Sequence, residues 1–416
     1  MRRRLKIRRL FPPVASLAAL LRDKGRYRVC VLRVGGELNL SRHYFWGKGH
    51  GGACPVDEAL GLTQDRVSPG AREVICRMGI VEDFAGAAED ARRIGNIPVS
   101  KERLRQIVEA EGQRVSHVRD RGVLKAAWTQ SDATVDGTNK TRVYGGIDGV
   151  MAPMVTQAEK DKRRKDHVIR RQKRVEAGLG NTRALPAGKP GHEEKYREMK
   201  LGVFDDQDKE HRHCFATAKR HLGFAKLLRN HAKQVAFAQA HESITLTDGA
   251  KWIMSVICLV LSFVKSTLLD FYHLSQHVHA AAKTCFGETP QAQEWALARL
   301  EEIKTQGVKP VLLAIDALNK QVRSRGKKKQ LKLLRNYLLK RLEMLDYKSA
   351  LARQWDIGSG PTEAMCKNLT LRLKRTGMKW DATNAQSLMN LQSLMNLTAL
   401  YESGQKSTYW NMRQAA

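Results

Sequence analysis

Three acidic residues stand in local settings that suit metal-assisted phosphoryl chemistry. Asp148 lies in Gly145-Gly146-Ile147-Asp148-Gly149, directly after a β-rich stretch. Asp248 lies in Leu246-Thr247-Asp248-Gly249, between a second β-rich stretch and a helix. Glu363 follows Gly358-Ser359-Gly360-Pro361-Thr362, in the first turn of a helix. A carboxylate at a strand end, followed by glycine, is held firmly and leaves room for a ligand. Two such strands side by side, with a third carboxylate on a helix, make an open cage of oxygens. Mg²⁺ takes oxygen ligands and keeps waters and phosphate oxygens in its shell. Two ions about 3.5–4 Å apart activate a water or 3′-hydroxyl and stabilise the leaving oxygen of a phosphodiester. The expected cofactor is therefore a pair of Mg²⁺ ions, with Mn²⁺ able to substitute.

Two aspartates compete for these places. Asp136, in Val135-Asp136-Gly137, has the same strand-then-glycine form as Asp148, and Asp270 is the rival of Asp248. An Asp-Gly pair alone reads as a turn, and a glutamate in a first helical turn is expected from the helix dipole. Order, context and charge together favour Asp148, Asp248 and Glu363. On the helix after Gly360, positions 363, 367, 370 and 374 share a face. They are Glu363, Lys367, Thr370 and Lys374, a carboxylate followed by two cations and a hydroxyl, with Arg372, Arg375 and Lys379 extending the field. That stripe could lay a DNA backbone across the acids. The plainer alternative is an intrahelical Glu363–Lys367 pair, contributing about 0.2–0.5 kcal/mol. His273, His277 and His279 lack a cysteine or carboxylate at a fixed partner spacing, except Asp270, so zinc is not expected there.

The elements that must position these residues are readable in outline. Residues 1–66 are basic and glycine-rich, and 67–130 form a helical domain. Ser68-Pro69 starts its first helix, since serine caps and proline is tolerated at the first helical position. Helices are expected near 69–79, 82–93 and 100–111, the last capped by Ser100. The stretch 87–111 has the proportions of a helix-turn-helix, whose second helix would carry Lys101, Arg103 and Arg105 toward a DNA groove. Strands are expected at 133–136, 142–147, 200–204, 213–217, 243–247 and 266–269. They make a mixed α/β core over 131–274, interrupted by an exposed, strongly positive insertion at 157–197. Residues 275–350 read as an all-helical insertion, with one long basic helix or two over 321–347. Residues 351–416 are helical again and carry Glu363. There Gln386–Leu391 repeats at once as Gln392–Leu397, a local duplication, because a hexapeptide is not a whole number of helical turns.

Charge narrows the partner. The 416 residues hold 73 Lys and Arg against 42 Asp and Glu, a formal net charge of +31. A chain this cationic points to a polyanion, and nucleic acid is the commonest. The 42 % hydrophobic fraction is that of a folded protein. Seven widely spaced cysteines, without a Cys-x-x-Cys, argue for a reducing compartment. The arginine-rich start mimics a signal peptide, but Pro12 and Pro13 break its apolar part and charged residues follow where a cleavage site should be. The longest apolar run, 252–264, is short of the roughly 20 residues a membrane span needs. The expectation is a cytoplasmic protein without membrane contact.

At the candidate acids the chain resembles insertion-sequence transposases of the ISKra-type family, DDE enzymes related to the Mutator-like group. The stretches that carry the resemblance are 144–153 (YGGIDGVMAP), 196–204 (YREMKLGVF), 247–253 (TDGAKWI), 269–277 (LDFYHLSQH), 358–367 (GSGPTEAMCK) and 375–380 (RTGMKW), in the family's order over about 55–400. The resemblance implies an RNase H-like catalytic domain interrupted by a helical insertion. It implies Asp148, Asp248 and Glu363 as metal-binding triad, and His273 as an accessory residue. It also implies a transposase that binds terminal repeats of its element, cuts the strands and joins 3′-hydroxyls to target DNA. A dimer or larger assembly on double-stranded DNA follows, since two ends must be held at once. Related proteins often carry a cysteine-rich ribbon before 55–62, whereas Tyr44 to Gly52 contains no cysteine.

Overall fold

The computed structural model describes residues 21–62, 65–180, 185, 191–374, 379–380 and 385–415, with the side chains of 385–391 and 414–415 excluded. The arginine-rich start and Arg375 lie outside the described residues. The chain divides into two compact units, one of 1–108 with 407–416 and one of 109–406.

The first unit opens with β1 (Arg22–Arg33), β2 (Gly36–Gly47) and β3 (Gly51–Ala53), an antiparallel sheet in that order. Residues 22–53 of the basic, glycine-rich segment are thus folded, although the expected strands begin only at 133. After α1 (Pro55–Ala59) come α2 (Pro69–Val81) and α3 (Phe84–Arg93), close to the expected helices, and α4 (Lys101–Asp120), which runs nine residues past the expected end, through Gly112. Ser68 caps α2 by accepting from the Ala71 amide, and Ser100 accepts from the Arg103 amide. Val31, Ile75, Ala88 and Leu104 are buried in this unit. Gly79 lets α2 approach α4, since a Cβ there would stand 2.6 Å from the Val108 side chain. α15 (Lys406–Ala415) supplies the unit's C-terminal residues.

The second unit is built on five strands. β4 (Arg142–Pro153), β5 (Tyr196–Asp206) and β6 (Arg212–Thr217) form an antiparallel meander, while β7 (Glu242–Thr247) and β8 (Ser266–Leu269) lie parallel to β4 on its other side. The sheet order is β6-β5-β4-β7-β8. α5 (Gln157–Glu176) interrupts the β4–β5 connection, α6 (His221–Gln234) joins β6 to β7, and α7 (Lys251–Val260) joins β7 to β8. One sheet face, with Val143, Ile147, Phe204 and Phe215, packs on α6 and α7 through Phe224, Leu228, Val256 and Ile257. On the opposite face Tyr144, Ile244, Leu246 and Leu268 meet Ala350 and Trp355.

Two expectations change here. The strand expected at 133–136 reduces to a single bridge, Thr134 to Thr141, because the chain turns at Asp136-Gly137 and returns at once. The insertion at 157–197 contains a 20-residue helix without a buried residue. This helix carries nine Lys and Arg and four Asp and Glu, and no apolar stripe of helical period marks it.

The helical insertion comprises α8 (Phe271–Phe286), α9 (Pro290–Thr305), α10 (Val308–Gln321), α11 (Arg325–Leu339) and α12 (Tyr347–Ala352). Its own core includes Leu274, Val278, Ala296, Ile303, Ile315, Leu331 and Leu334. α13 (Gly360–Leu371) and α14 (Ala385–Glu402) then return to the sheet. The second hexapeptide copy covers the β6 edge: Gln392 accepts from the Ala218 amide and donates to the Ala216 carbonyl. No helix of the described residues is long and apolar enough to cross a membrane.

Candidate active site

Strand register brings the acids together. Gly146 of β4 pairs with Leu246 of β7, and Leu246 with Leu268 of β8. Two residues further on lie Asp148, Asp248 and Asp270. Asp248 and Asp270 directly follow the carboxyl ends of β7 and β8, whereas Asp148 does not follow its strand as expected: β4 continues to Pro153, and Asp148 pairs with Leu201 within it. The Asp270 amide donates to the Thr247 carbonyl (2.8 Å), which holds the last two ends level.

The fourth acid arrives with α13. A Cβ on Gly146 would stand 1.7 Å from the Thr362 Oγ1, so α13 rests directly on β4 where only glycine leaves room. Thr362 is buried, and the next residue, Glu363, is exposed on the helix's first turn. The Glu363 amide donates to the Ser359 carbonyl (3.0 Å). Ser359 is in turn fixed by Asp270, whose Oδ2 accepts from its amide at 2.5 Å. Asp270 Oδ1 accepts from the His273 amide (2.6 Å) as the N-cap of α8. With both oxygens on backbone amides and 2 % exposure, Asp270 fastens α8 to the turn that launches α13.

The carboxylates feel one another. Burial pushes the Asp148 carboxyl above its usual range, opposed by the Cys366 thiol and the Gly149 amide, with the Asp248 charge adding to the rise and His273 easing it. Burial also raises Glu363, followed by the charges of Asp270 and Asp148, again eased by His273. Asp248 Oδ1 accepts from the Ala250 amide (2.8 Å). No Glu363–Lys367 ion pair forms among the described residues, and Lys367 and Lys374 are exposed. Thr370 does not belong to an exposed stripe as expected: it is buried, and its hydroxyl donates to the Cys366 carbonyl (2.5 Å). The rival Asp136 sits in an exposed turn whose Gly137 has φ +71°, outside this set of acids.

Two neighbours of the acids have no signal in the sequence. The Cys366 Sγ–H donates to Asp148 Oδ2 (3.0 Å), across 218 positions of chain. Burial and the Asp148 charge drive its pKa far up, so it remains a thiol. From the helical insertion, Arg341 donates to the Gly249 carbonyl (3.1 Å) and stacks on Tyr337 at 4.0 Å. Gly249 has φ +70°, and a Cβ there would come within 2.5 Å of the arginine Nε. A one-turn spacing from Glu363 does reach Cys366, but cysteine on such a face reads as core filling.

Among the described residues, no three His, Cys, Asp or Glu side chains stand close enough together to hold a metal ion. The donors are hard oxygens of the kind Mg²⁺ prefers, but in this arrangement they do not fit it. One Asp148 oxygen is engaged by a thiol and both Asp270 oxygens by amides. His273 packs against His277 with ring centroids 5.6 Å apart, and His277 stacks on Tyr337 at 4.0 Å.

The expected DNA-reading residues lie in the first unit. Lys101 and Arg103 are exposed, and Arg103 donates to the Asp65 carbonyl (2.8 Å). Arg105 is paired with Glu102 at 2.5 Å.

No curated protein matches the chain. The profile of an uncharacterised protein family (UPF0236) matches residues 227–414, from α6 to α15, a stretch that includes Asp248 and Glu363 and starts after Asp148.

Proposed function

We propose that the chain is a DNA transposase of the DDE class, with Asp148, Asp248 and Glu363 as its acidic centre. The observation that carries this reading is that Asp148 on the central strand β4 has Asp248 just past the end of the neighbouring parallel strand β7 and Glu363 on α13, which packs on β4. Strand order supports it too: an antiparallel meander followed by two strands parallel to the first is the arrangement expected of an RNase H-like core. The helical insertion between the second aspartate and the glutamate agrees with the ISKra-type resemblance.

On this reading the chain binds the ends of an insertion sequence, cuts them and joins the 3′-ends to target DNA as a dimer or larger assembly. α3 and α4 would act as the helix-turn-helix-like reader through Lys101, Arg103 and Arg105. Lys367, Lys374 and α5 would hold phosphates beside the acids, positioning the strand without reading its bases. The chain's own contribution to the reaction is to hold negative charge beside the central strand β4 and to lay a phosphodiester across it. A Mg²⁺ pair is part of the proposal, but no step is derived through it, because the side chains as arranged do not group around an ion.

The test is a pair of substitutions, Asp148→Asn and Glu363→Gln, assayed separately for binding and cleavage of terminal-repeat DNA with and without Mg²⁺. Cleavage by the intact protein should need Mg²⁺, and each substitution should lower it by about 10³-fold, as expected for residues acting as a unit, while binding persists. Undiminished cleavage by both variants removes the proposal. One observation favours a second reading: the donors are not grouped for a metal. A transposase-derived chain that binds nucleic acid without cutting it would show terminal-repeat binding and no cleavage by the intact protein.

A further inference from the structure

A pocket of about 300 Å³ opens at the carboxyl end of β6, within the second unit. Four cations line it: Arg119 from the end of α4, Arg197 from β5, and Lys219 and Arg220 from the turn between β6 and α6. Asp120 is the one acid among the described lining residues. None of the four cations forms an ion pair among the described residues. Such a concentration of uncompensated positive charge in a concave site calls for an anion.

Arg119 makes the case specific. Its side chain is 7 % exposed, a burial unusual for an arginine without a carboxylate. One Nη donates to Gln405 Oε1 (2.8 Å), and Nε has no partner among the described residues. Burial lowers its pKa to about 10, which leaves it charged at neutral pH. The neighbouring histidines do not balance that charge. His213 Nε2 and His231 Nδ1 share a hydrogen bond of 2.8 Å, and burial together with Arg119 keeps both neutral. The Asp120 charge favours the cation from nearby but forms no ion pair with it; a buried cation without an ion-pair partner is costly, and an anion in the pocket would offset that cost.

Two further features specify the anion. α6 starts at the pocket's lip, and no side chain caps its first turn. Its free amides and the positive end of its dipole suit a phosphate. Phe215 and Leu227 supply an apolar wall beside the cations, which suits a sugar attached to that phosphate. Position adds a reason. Ala216 on the pocket wall pairs with Leu201, and Leu201 with Asp148. The pocket therefore lies on the same row as Asp148, two strands or about 10 Å away.

We infer that this pocket is a phosphate-binding site, separate from the acidic centre. The phosphate belongs either to a nucleic-acid backbone or to a free phosphorylated small molecule, and the experiment distinguishes the two. The full-length chain carrying Lys219→Glu and Arg220→Glu, both exposed positions, is titrated with inorganic phosphate and with a duplex of arbitrary sequence. The control is Lys309→Glu in the helical insertion, an exposed charge far along the chain. If a backbone phosphate is the occupant, duplex affinity falls about tenfold and the salt slope drops by about 0.9 for each phosphate no longer neutralised. If a free phosphorylated molecule is the occupant, binding of inorganic phosphate falls by a similar factor and duplex affinity changes no more than in the control. The inference is overturned when neither probe responds beyond the control. The Lys219→Glu and Arg220→Glu substitutions leave the acids in place, so Mg²⁺-dependent cleavage at saturating DNA reports on the acidic centre separately, and failure of this site and failure of the cleavage reading are told apart.

Discussion

At the scale of single residues, the acidic centre rests on small, close accommodations. Gly146 is the clearest, since α13 sits where a side chain would be. Gly146→Ala should cost about 1–3 kcal/mol, the range for overpacking a filled site. Thr362→Ala should recover part of that stability, because it removes the Oγ1 at 1.7 Å and leaves the Cβ at 2.9 Å. A double-mutant cycle in urea measures the coupling. Asp148 gives a pH-dependent prediction. Its carboxyl is raised by burial, so the folded state holds that proton more tightly than the unfolded chain. Ionisation therefore subtracts stability as pH rises from the unfolded pKa to the folded one, and the loss is complete above it. Asp148→Asn should thus raise Tm at pH 7 and do so far less at pH 3, where both states are protonated. A Tm gain equal at both pH values would contradict the assignment. The Cys366 thiol belongs to the same argument. Cys366→Ala removes the hydrogen bond that opposes the rise of the Asp148 pKa, so that carboxyl should titrate higher still by NMR, whereas Cys366→Ser, which keeps a donor, should stay near the parent.

At the scale of elements, the decisive joint is the one Asp270 makes between α8 and the turn before α13. Replacing it with alanine removes an N-cap, which costs about 0.5–2 kcal/mol, and strands the Ser359 amide, for about 1–3 kcal/mol more. Denaturant unfolding of Asp270→Ala should show a destabilisation in that combined range. Its effect on Glu363 is indirect, through the placement of α13. α5 presents the opposite case. It buries nothing, and a helix without tertiary packing is marginal in water. Its amides should exchange with solvent quickly in the free protein and slow markedly when duplex DNA is bound, as read by hydrogen–deuterium exchange. Unchanged exchange on binding would remove α5 from the DNA-contacting surface.

At the scale of the whole molecule, a net charge of +31 sets the expected energetics of partner binding. A protein making 6–10 phosphate contacts loses roughly 10³–10⁵ in affinity between 50 and 200 mM salt. Fluorescence anisotropy over that range should show a steep, linear log–log decline, and a shallow one would argue against a nucleic-acid partner. At this scale the limits of local pattern are also plain. Strands β4 to β8 are legible in part because they carry short β-branched and aromatic runs, with glycines beside Ile147 in β4 and after Asp248 at the end of β7. α13 is legible because Ser359-Gly360-Pro361 announces a start. The β1–β2 hairpin escapes, although Tyr27, Val29 and Val31 and then Leu38 and Leu40 fall at alternate positions, because the arginines and glycines around them dominate the segment. α5 escapes because it has no apolar face. The duplicated hexapeptide reads as an accident, yet Gln392 of its second copy bonds the backbone of the sheet edge.

Composition, capping and short-range periodicity determined the charge, much of the succession of strands and helices, and the placing of Asp248 at a strand end and Glu363 at a helix start, but not that of Asp148, which lies within β4. Each depends on residues within a few positions of one another. Only the tertiary structure decided that Asp136 turns away into solvent, that Asp270 is committed to backbone amides, that Cys366 reaches Asp148, and that Arg341 closes over Gly249. Those contacts join residues up to 218 positions apart. They are set by strand register and by how closely a helix can approach a glycine, neither of which any local run of residues encodes.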